Sequence, residues 1–161
     1  MDLENFKIKS QQSKKENSFF LKSLKKKNER KLDNSFHQLH NQVFENTNCL
    51  QCANCCKTTS PMVRETDISK IALHLKQKPS EVISKYFIKE TDGTYIVNSA
   101  PCPFLDTENY CSIYTARPGA CREFPHTNRK KMSQILDITF ENTLVCPAVL
   151  EIVEQLKKIQ L

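Results

Sequence analysis

Glycine is nearly missing: the 161 residues contain two, Gly93 and Gly119. No GxGxxG turn and no phosphate-cradling GxxxxGK[ST] loop occurs, so the commonest designs for nucleotide-dependent catalysis are absent. Long apolar runs are lacking too, and nothing approaches the ~18 consecutive apolar residues of a membrane-spanning helix. The opening Met1-Asp-Leu-Glu-Asn-Phe-Lys7 is acidic and has no apolar core of a secretory signal. A soluble, cytoplasmic protein is expected, in a reducing compartment where persistent disulfides are rare. The charge of +6 is moderate, from 24 basic and 18 acidic side chains.

Against these scarcities stand eight cysteines. Four fall within the run Cys49-Leu-Gln-Cys52-Ala-Asn-Cys55-Cys56, and Cys102, Cys111, Cys121 and Cys146 follow at wide intervals. Thiolates at two-residue gaps can turn back on one metal centre, because a tight turn brings their sulfurs within coordination reach. The run therefore reads as a metal-ligand knuckle. Cys55 and Cys56 are adjacent and point differently, so one of them faces a second site or a structural contact. Buried, inert thiols acting as small hydrophobes are the competing reading, and the clustering argues against it.

The length has room for one domain and an appendage. Residues 14–46 lack proline and glycine and read as helix, with Leu32, Phe36, Leu39 and Val43 at amphipathic spacing and Phe44 widening the stripe. Lys22, Lys25, Lys26, Lys27, Arg30 and Lys31 form either a solvated face or a patch for an acidic protein partner. No aromatics interleave with these charges to stack on bases, which disfavours nucleic acid. His37 and His40, three apart, are candidate ligands, though softer thiols are already plentiful.

Further along, Thr66 or Asp67 is expected to cap a helix through Lys76, with Ile68, Ile71, Ala72 and Leu75 inward. A second helix restarts at Pro79-Ser80 and buries Val82, Ile83, Tyr86 and Phe87. Thr91 to Thr94 signals a turn, and Tyr95-Ile96-Val97 is a short β-prone run expected to pair with Cys111 to Tyr114 as a small hairpin. Pro101 and Pro103 hold Cys102 on a fixed loop. Pro118 can start a helical turn that offers Cys121. Arg117 and Arg122 either offset a thiolate charge or bond backbone carbonyls, and His126 is a possible substitute ligand. Met132 to Phe140 reads as a strand or an extended buried segment. Cys146-Pro147 precedes a helix to about Lys158, where the positive helix end favours a thiolate.

The motif residues resemble a known family. Cys49-x-x-Cys52-x-x-Cys55-Cys56, then Cys102-Pro-Phe-Leu105, then Cys111-Ser-Ile-Tyr114-x-x-Arg117-Pro118-x-x-Cys121-Arg122-x-Phe124-Pro125, resemble the YkgJ-type CxxCxxCC cysteine-cluster proteins over residues 47–157. The resemblance implies a zinc- or iron-chelating domain of undefined biochemical role. The basic helix ahead of the motif looks like that of a short bacterial subgroup. The same cluster occurs in flagellin lysine methylases, which are far longer.

The resulting expectation is a mainly α fold with a minor β-hairpin: a basic amphipathic helical region over 1–46, then a small helical domain over 47–161 around a loop-built cysteine core. All eight cysteines are candidate metal ligands, with Cys49, Cys52 and Cys55 as the leading group and Cys146 or Cys121 as its fourth member. Cys56, Cys102, Cys111 and the remaining thiol supply a second site or supporting shell. The spacing of the first three favours a 4Fe-4S cluster over zinc. Three functions remain open: a metal-binding module, an iron–sulfur redox or protein-modifying enzyme with no assignable catalytic residue, and a metal-stabilised adaptor for an acidic partner.

Overall fold

A computed structural model describes residues 2–160 and divides the chain into two compact units, residues 1–52 with 125–161, and residues 53–124. The fold is mainly α with a minor antiparallel sheet. No helix among the described residues is long and apolar enough to cross a membrane.

The first unit is helical: α1 (Leu3–Gln12), α2 (Lys14–Leu24), α3 (Glu29–Phe44), the short α4 (Cys49–Cys52), and, after the second unit, α9 (Leu136–Thr143) and α10 (Pro147–Leu156). The expected helix over 14–46 is thus two helices. The break follows from Lys25-Lys26-Lys27 and from Asn28, whose side chain accepts the Lys31 amide at 3.0 Å and so begins a new helix. The amphipathic stripe of α3 is real: Leu32, Phe36, Leu39 and Val43 are buried, and they share a core with Val149, Ile152, Val153 and Leu156 of α10. Helix α1 precedes the expected 14–46 helix, within the 1–46 region expected to be helical; the Asp2 carboxylate caps it by accepting the amides of Glu4 and Asn5.

The expected strand at Met132 to Phe140 is a 3₁₀ turn, Met132–Ile135, running into α9. Periodicity outweighs β-branched propensity here, since Met132, Ile135, Leu136, Thr139 and Thr143 all turn inward at helical spacing. The threonine hydroxyls are satisfied within the helix, Thr139 donating to the Ile135 carbonyl and Thr143 to that of Phe140. Asp33 of α3 fixes the start of the segment by accepting the Lys131 and Met132 amides, each at 2.8 Å.

The second unit holds α5 (Asn54–Thr58), β1 (Met62–Val63), α6 (Glu65–Leu75), α7 (Pro79–Tyr86), β2 (Phe87–Lys89), β3 (Tyr95–Val97) and α8 (Gly119–Glu123). Tyr95–Val97 is a strand as expected, but its partners differ. It is the centre of a sheet ordered β1-β3-β2, paired with Phe87–Lys89 through the 91–94 turn and with Met62–Val63. The Cys111 region instead makes an isolated bridge to Leu105. Helix α6 begins two or three residues earlier than expected, at Glu65, and Asp67 closes its first turn by accepting the Arg64 amide at 3.2 Å. The core joins Val63, Ile68, Ile71, Val82, Phe87, Tyr95, Val97, Phe104 and Ile113.

With glycine so scarce, other residues occupy left-handed backbone: Ala53, Lys76, Asn109, His126 and Lys131 all have φ between 45° and 67°. Each costs more than glycine would at the same place.

Candidate metal-binding thiols

No disulfide joins any two cysteines among the described residues. The expected single wrapped knuckle is instead two short helices. Helix α4 carries Cys49 and Cys52, Ala53 takes a left-handed conformation at φ 45°, and α5 carries Cys55 and Cys56.

In the 53–124 unit, backbone bonds bring three distant loops together. The Cys102 amide donates to the Cys56 carbonyl at 2.8 Å, which ties the 101–105 turn to α5. The Ser112 amide donates to the Phe104 carbonyl at 2.8 Å beside the Leu105–Cys111 bridge, so the segments bearing Cys102 and Cys111 run together. Asp106 shapes the turn between them by accepting the amides of Glu108 at 2.9 Å and Tyr110 at 2.8 Å. Cys121 lies in α8, whose first amide, that of Gly119, donates to Asp67 at 3.2 Å. Asp67 is 5% exposed, so this carboxylate links the start of α6 to the turn that presents Cys121.

The charges of these thiols act on one another. Burial first, then the charges of Cys56, Cys102 and Cys111, push Cys121 from its ordinary 9.0 up to about 12, against the opposing pull of Arg117. Burial raises Cys102 and Cys111 as well, and nearby backbone amides oppose it at each. Cys56 is raised above all by the Cys55 sulfur, 4.0 Å from its own, then by burial and the Cys55 charge, with Lys57 opposing. Neutral thiols are therefore the resting form, and a bound metal would have to displace their protons.

Both readings of the arginines hold in part. Arg117 donates to the Tyr114 carbonyl at 2.7 Å and lies 3.7 Å over that ring, yet its charge also reaches Cys111 and Cys121. Arg122 donates to the Arg117 carbonyl, a local backbone bond.

In the other unit Cys49 and Cys52 lie at the two ends of α4, three residues apart and so on one helix face. Asn48 caps this turn by accepting the Leu50 amide at 3.1 Å and the Gln51 amide at 3.2 Å. Cys146 occupies the N-cap of α10 and packs against the helical core. Burial raises its thiol to about 11, and the charges of Cys52 and Cys49 add to that, while the Val149 and Ala148 amides at the helix start pull the other way. Among the causes of these shifts, Cys146 meets the charges of Cys52 and Cys49, and Cys121 those of Cys56, Cys102 and Cys111. Cys55 falls in the 53–124 unit.

His37 and His40 join no thiol group. His37 bonds the Arg129 carbonyl and His40 the Thr127 hydroxyl, each at 2.8 Å, and His40 stacks on Phe44 at 4.5 Å between ring centroids. Both fasten α3 to the 127–129 segment. His126 sits half-buried, with left-handed backbone, in that same segment. Among the described residues no three His, Cys, Asp or Glu side chains are drawn together tightly enough to hold a metal ion as they stand. The donor type nevertheless suits a soft metal: thiols, some beside cationic Arg117 and Lys57, and Cys146 at the head of α10. Asp67 was legible only as a helix cap, and its bond to Gly119 has no local sequence signal.

Residues 48–141 match the CxxCxxCC family model, whose description reads "Putative zinc- or iron-chelating domain". An uncharacterized protein of Methanocaldococcus jannaschii is 34% identical over 98 residues, 57% of this chain and 53% of that protein. The chain thus spans about half the length of the curated relative it matches. No solved structure matches it.

Proposed function

The chain belongs to the CxxCxxCC family, and from that premise we propose that it is a thiolate metal-binding protein whose principal site is Cys56, Cys102, Cys111 and Cys121. The observation that carries this is the charge coupling of Cys121 to the other three, within loops that the Cys102–Cys56 and Ser112–Phe104 backbone bonds hold side by side. Four thiolates accept zinc or a cubane iron–sulfur cluster, and either leaves about two net negative charges. Arg117 and Lys57 are the cations that would offset them. Because the sulfurs must close on the ion, binding tightens the fold instead of filling a finished cage. Eight reduced thiols suit a reducing compartment such as the cytoplasm.

Anaerobic purification followed by metal, sulfide and visible-absorption analysis tests the proposal. Zinc without sulfide identifies a zinc protein. Iron with sulfide, and a broad absorption that bleaches on reduction, identifies a cluster. Wild-type protein that carries no metal, and takes none up when reconstituted, refutes it.

One observation favours a second role, as an adaptor for an acidic protein. Residues 14–31 contain eight basic and two acidic side chains, a net +6 equal to the whole chain's, so the rest is balanced. On α2, Lys15, Phe19 and Lys22 lie opposite buried Asn17, Leu21 and Leu24, and Phe19 is 83% exposed. A polyglutamate peptide is expected to bind at low salt and to be lost in K15E/K22E and in F19A, with metal content unchanged. Wild-type binding by F19A would reduce the patch to a solvated charged face.

A further inference from the structure

Charge is segregated on the surface of the helical unit. Helix α2 buries Asn17, Leu21 and Leu24 and turns Lys15, Phe19 and Lys22 outward, with Phe19 83% exposed. Helix α9 packs beside it, buries Leu136, Thr139 and Thr143, and turns Asp137, Ile138 and Glu141 outward, with Ile138 51% exposed. A phenyl ring between two cations thus lies next to an isoleucine between two carboxylates. Between the helices runs a groove of about 400 Å³ lined by Ser18, Lys22, Asp137, Ile138, Phe140 and Glu141. Lys25 meets Asp137 at 2.8 Å, and among the described residues Lys15, Lys22 and Glu141 make no ion pair. All these residues lie in the 1–52 and 125–161 unit.

Resting on the reading of the Lys15, Phe19 and Lys22 face as a docking face for an acidic protein, we infer that the protein it takes is a second copy of this chain. Phe19 of each copy seats in the α2–α9 groove of the other, and Lys15 and Lys22 of each lie against Asp137 and Glu141 of the other. A two-fold contact presents one patch to itself, so the patch must be self-complementary. A purely basic or purely acidic patch would repel its own copy. A basic strip beside an acidic one, turned through the two-fold, instead lays each strip on its opposite. The apolar residues fit the same arrangement, since a bulky exposed ring rimmed by charges is what a protein contact covers, and the groove offers Ile138 and Phe140 to receive it. The contact is small. Helix α2 is about 16 Å long and the pair of helices about 20 Å across, a footprint of roughly 300 Å² per copy. That is well below the usual size of a stable interface, so the dimer is weak, reversible and sensitive to salt.

The test is sedimentation equilibrium of the full-length chain, kept reduced so that no disulfide joins copies, at up to about 0.5 mM protein in low salt. A monomer–dimer equilibrium is expected, its dissociation constant rising about tenfold between about 0.05 and 0.5 M sodium chloride. F19A should remain monomeric. K15E/K22E, with an all-acidic patch, and D137K/E141K, with an all-basic one, should each be monomeric alone and should form a heterodimer when mixed, which requires both variants to be folded and both strips to be in the contact. A dimer that persists in F19A, or charge variants that stay monomeric on mixing, overturns the placement. Wild-type chain that stays monomeric overturns the second copy as occupant. Polyglutamate binding that F19A loses would in that case keep the face for a different acidic protein, and wild-type polyglutamate binding by F19A would remove the docking face as well.

Discussion

The placement of Cys121 rests on Asp67, and removing that carboxylate should cost stability and loosen the thiol together. Asp67 is 5% exposed, and its two oxygens accept the Arg64 and Gly119 amides, each at 3.2 Å. In D67A both amides lose their acceptor. An orphaned buried donor costs about 1–3 kcal/mol, and bonds to a charged acceptor are the stronger kind. Arg64 is exposed, so water can recover part of its loss, whereas Gly119 is half-buried and recovers less. We expect D67A to lose about 2–4 kcal/mol, and D67N about half of that, because the amide side chain keeps one oxygen but turns an NH₂ toward a backbone N–H. The assay is urea unfolding followed by tyrosine emission. There is no tryptophan, and all four tyrosines, Tyr86, Tyr95, Tyr110 and Tyr114, lie between residues 53 and 124, so the signal reports this unit. A second readout separates positioning from mere stability: in native buffer, Cys121 should react faster with a maleimide in D67A, while Cys146 keeps its wild-type rate. D67A within about 0.5 kcal/mol of wild type, with Cys121 unchanged, would show that the carboxylate holds nothing.

Phe36 is fully buried in the helical core, and F36A should cost about 3–5 kcal/mol in chemical unfolding followed by far-ultraviolet dichroism. Exposed Lys76 ends α6 with φ 54°, so K76G should stabilise by about 0.5–1 kcal/mol in the tyrosine-emission assay, against the usual direction for a glycine substitution. With chelator present, stability should be level below pH 9 and fall as pH rises toward about 11 and 12. Cys146 and Cys121 are raised in the fold above 9.0, so across that window the unfolded chain releases protons that the folded chain keeps. Level stability through pH 11 in equilibrium unfolding would contradict this. With zinc present the sign reverses near neutrality: binding expels thiol protons, so apparent affinity should rise from pH 6 to pH 8 in chelator competition.

Helical content was legible along most stretches where apolar residues recur at three and four, and the α3 stripe buried as its spacing required. What local pattern could not supply was the identity of partners. A lysine-rich stretch with no glycine or proline gives no warning of a break, and the break at Asn28 became visible only through its capping bond. In Met132 to Phe140 the residue types favoured a strand and the period favoured a helix. The Asp33 carboxylate, about a hundred residues away, anchors the segment start and helps decide for the helix. Tyr95–Val97 was found as a strand but matched to the wrong neighbour. Phe87, read as the buried end of a helix, begins the strand that pairs with it.

The cysteine run shows most directly why ligand spacing does not fix ligand partition. Were residues 49–56 one helix, Cys49, Cys52 and Cys56 would share a face, at offsets of three and seven. Ala53 interrupts that register: its left-handed backbone ends one short helix and begins another, and no residue type at 53 advertises it, since alanine is among the strongest helix formers. The conformation costs an L-residue on the order of 1 kcal/mol, which glycine would have avoided. Beyond Ala53 the segments bearing distant cysteines are tied in by tertiary structure: the Cys102 loop to α5 by the Cys102 amide bond to the Cys56 carbonyl, and α8, which carries Cys121, to α6 by Asp67. The x-x spacings set which sulfurs lie near one another along the chain. Bonds between residues about fifty apart, Cys56 to Cys102 and Asp67 to Gly119, hold the segments that carry the distant thiols, and those bonds have no signature in the motif.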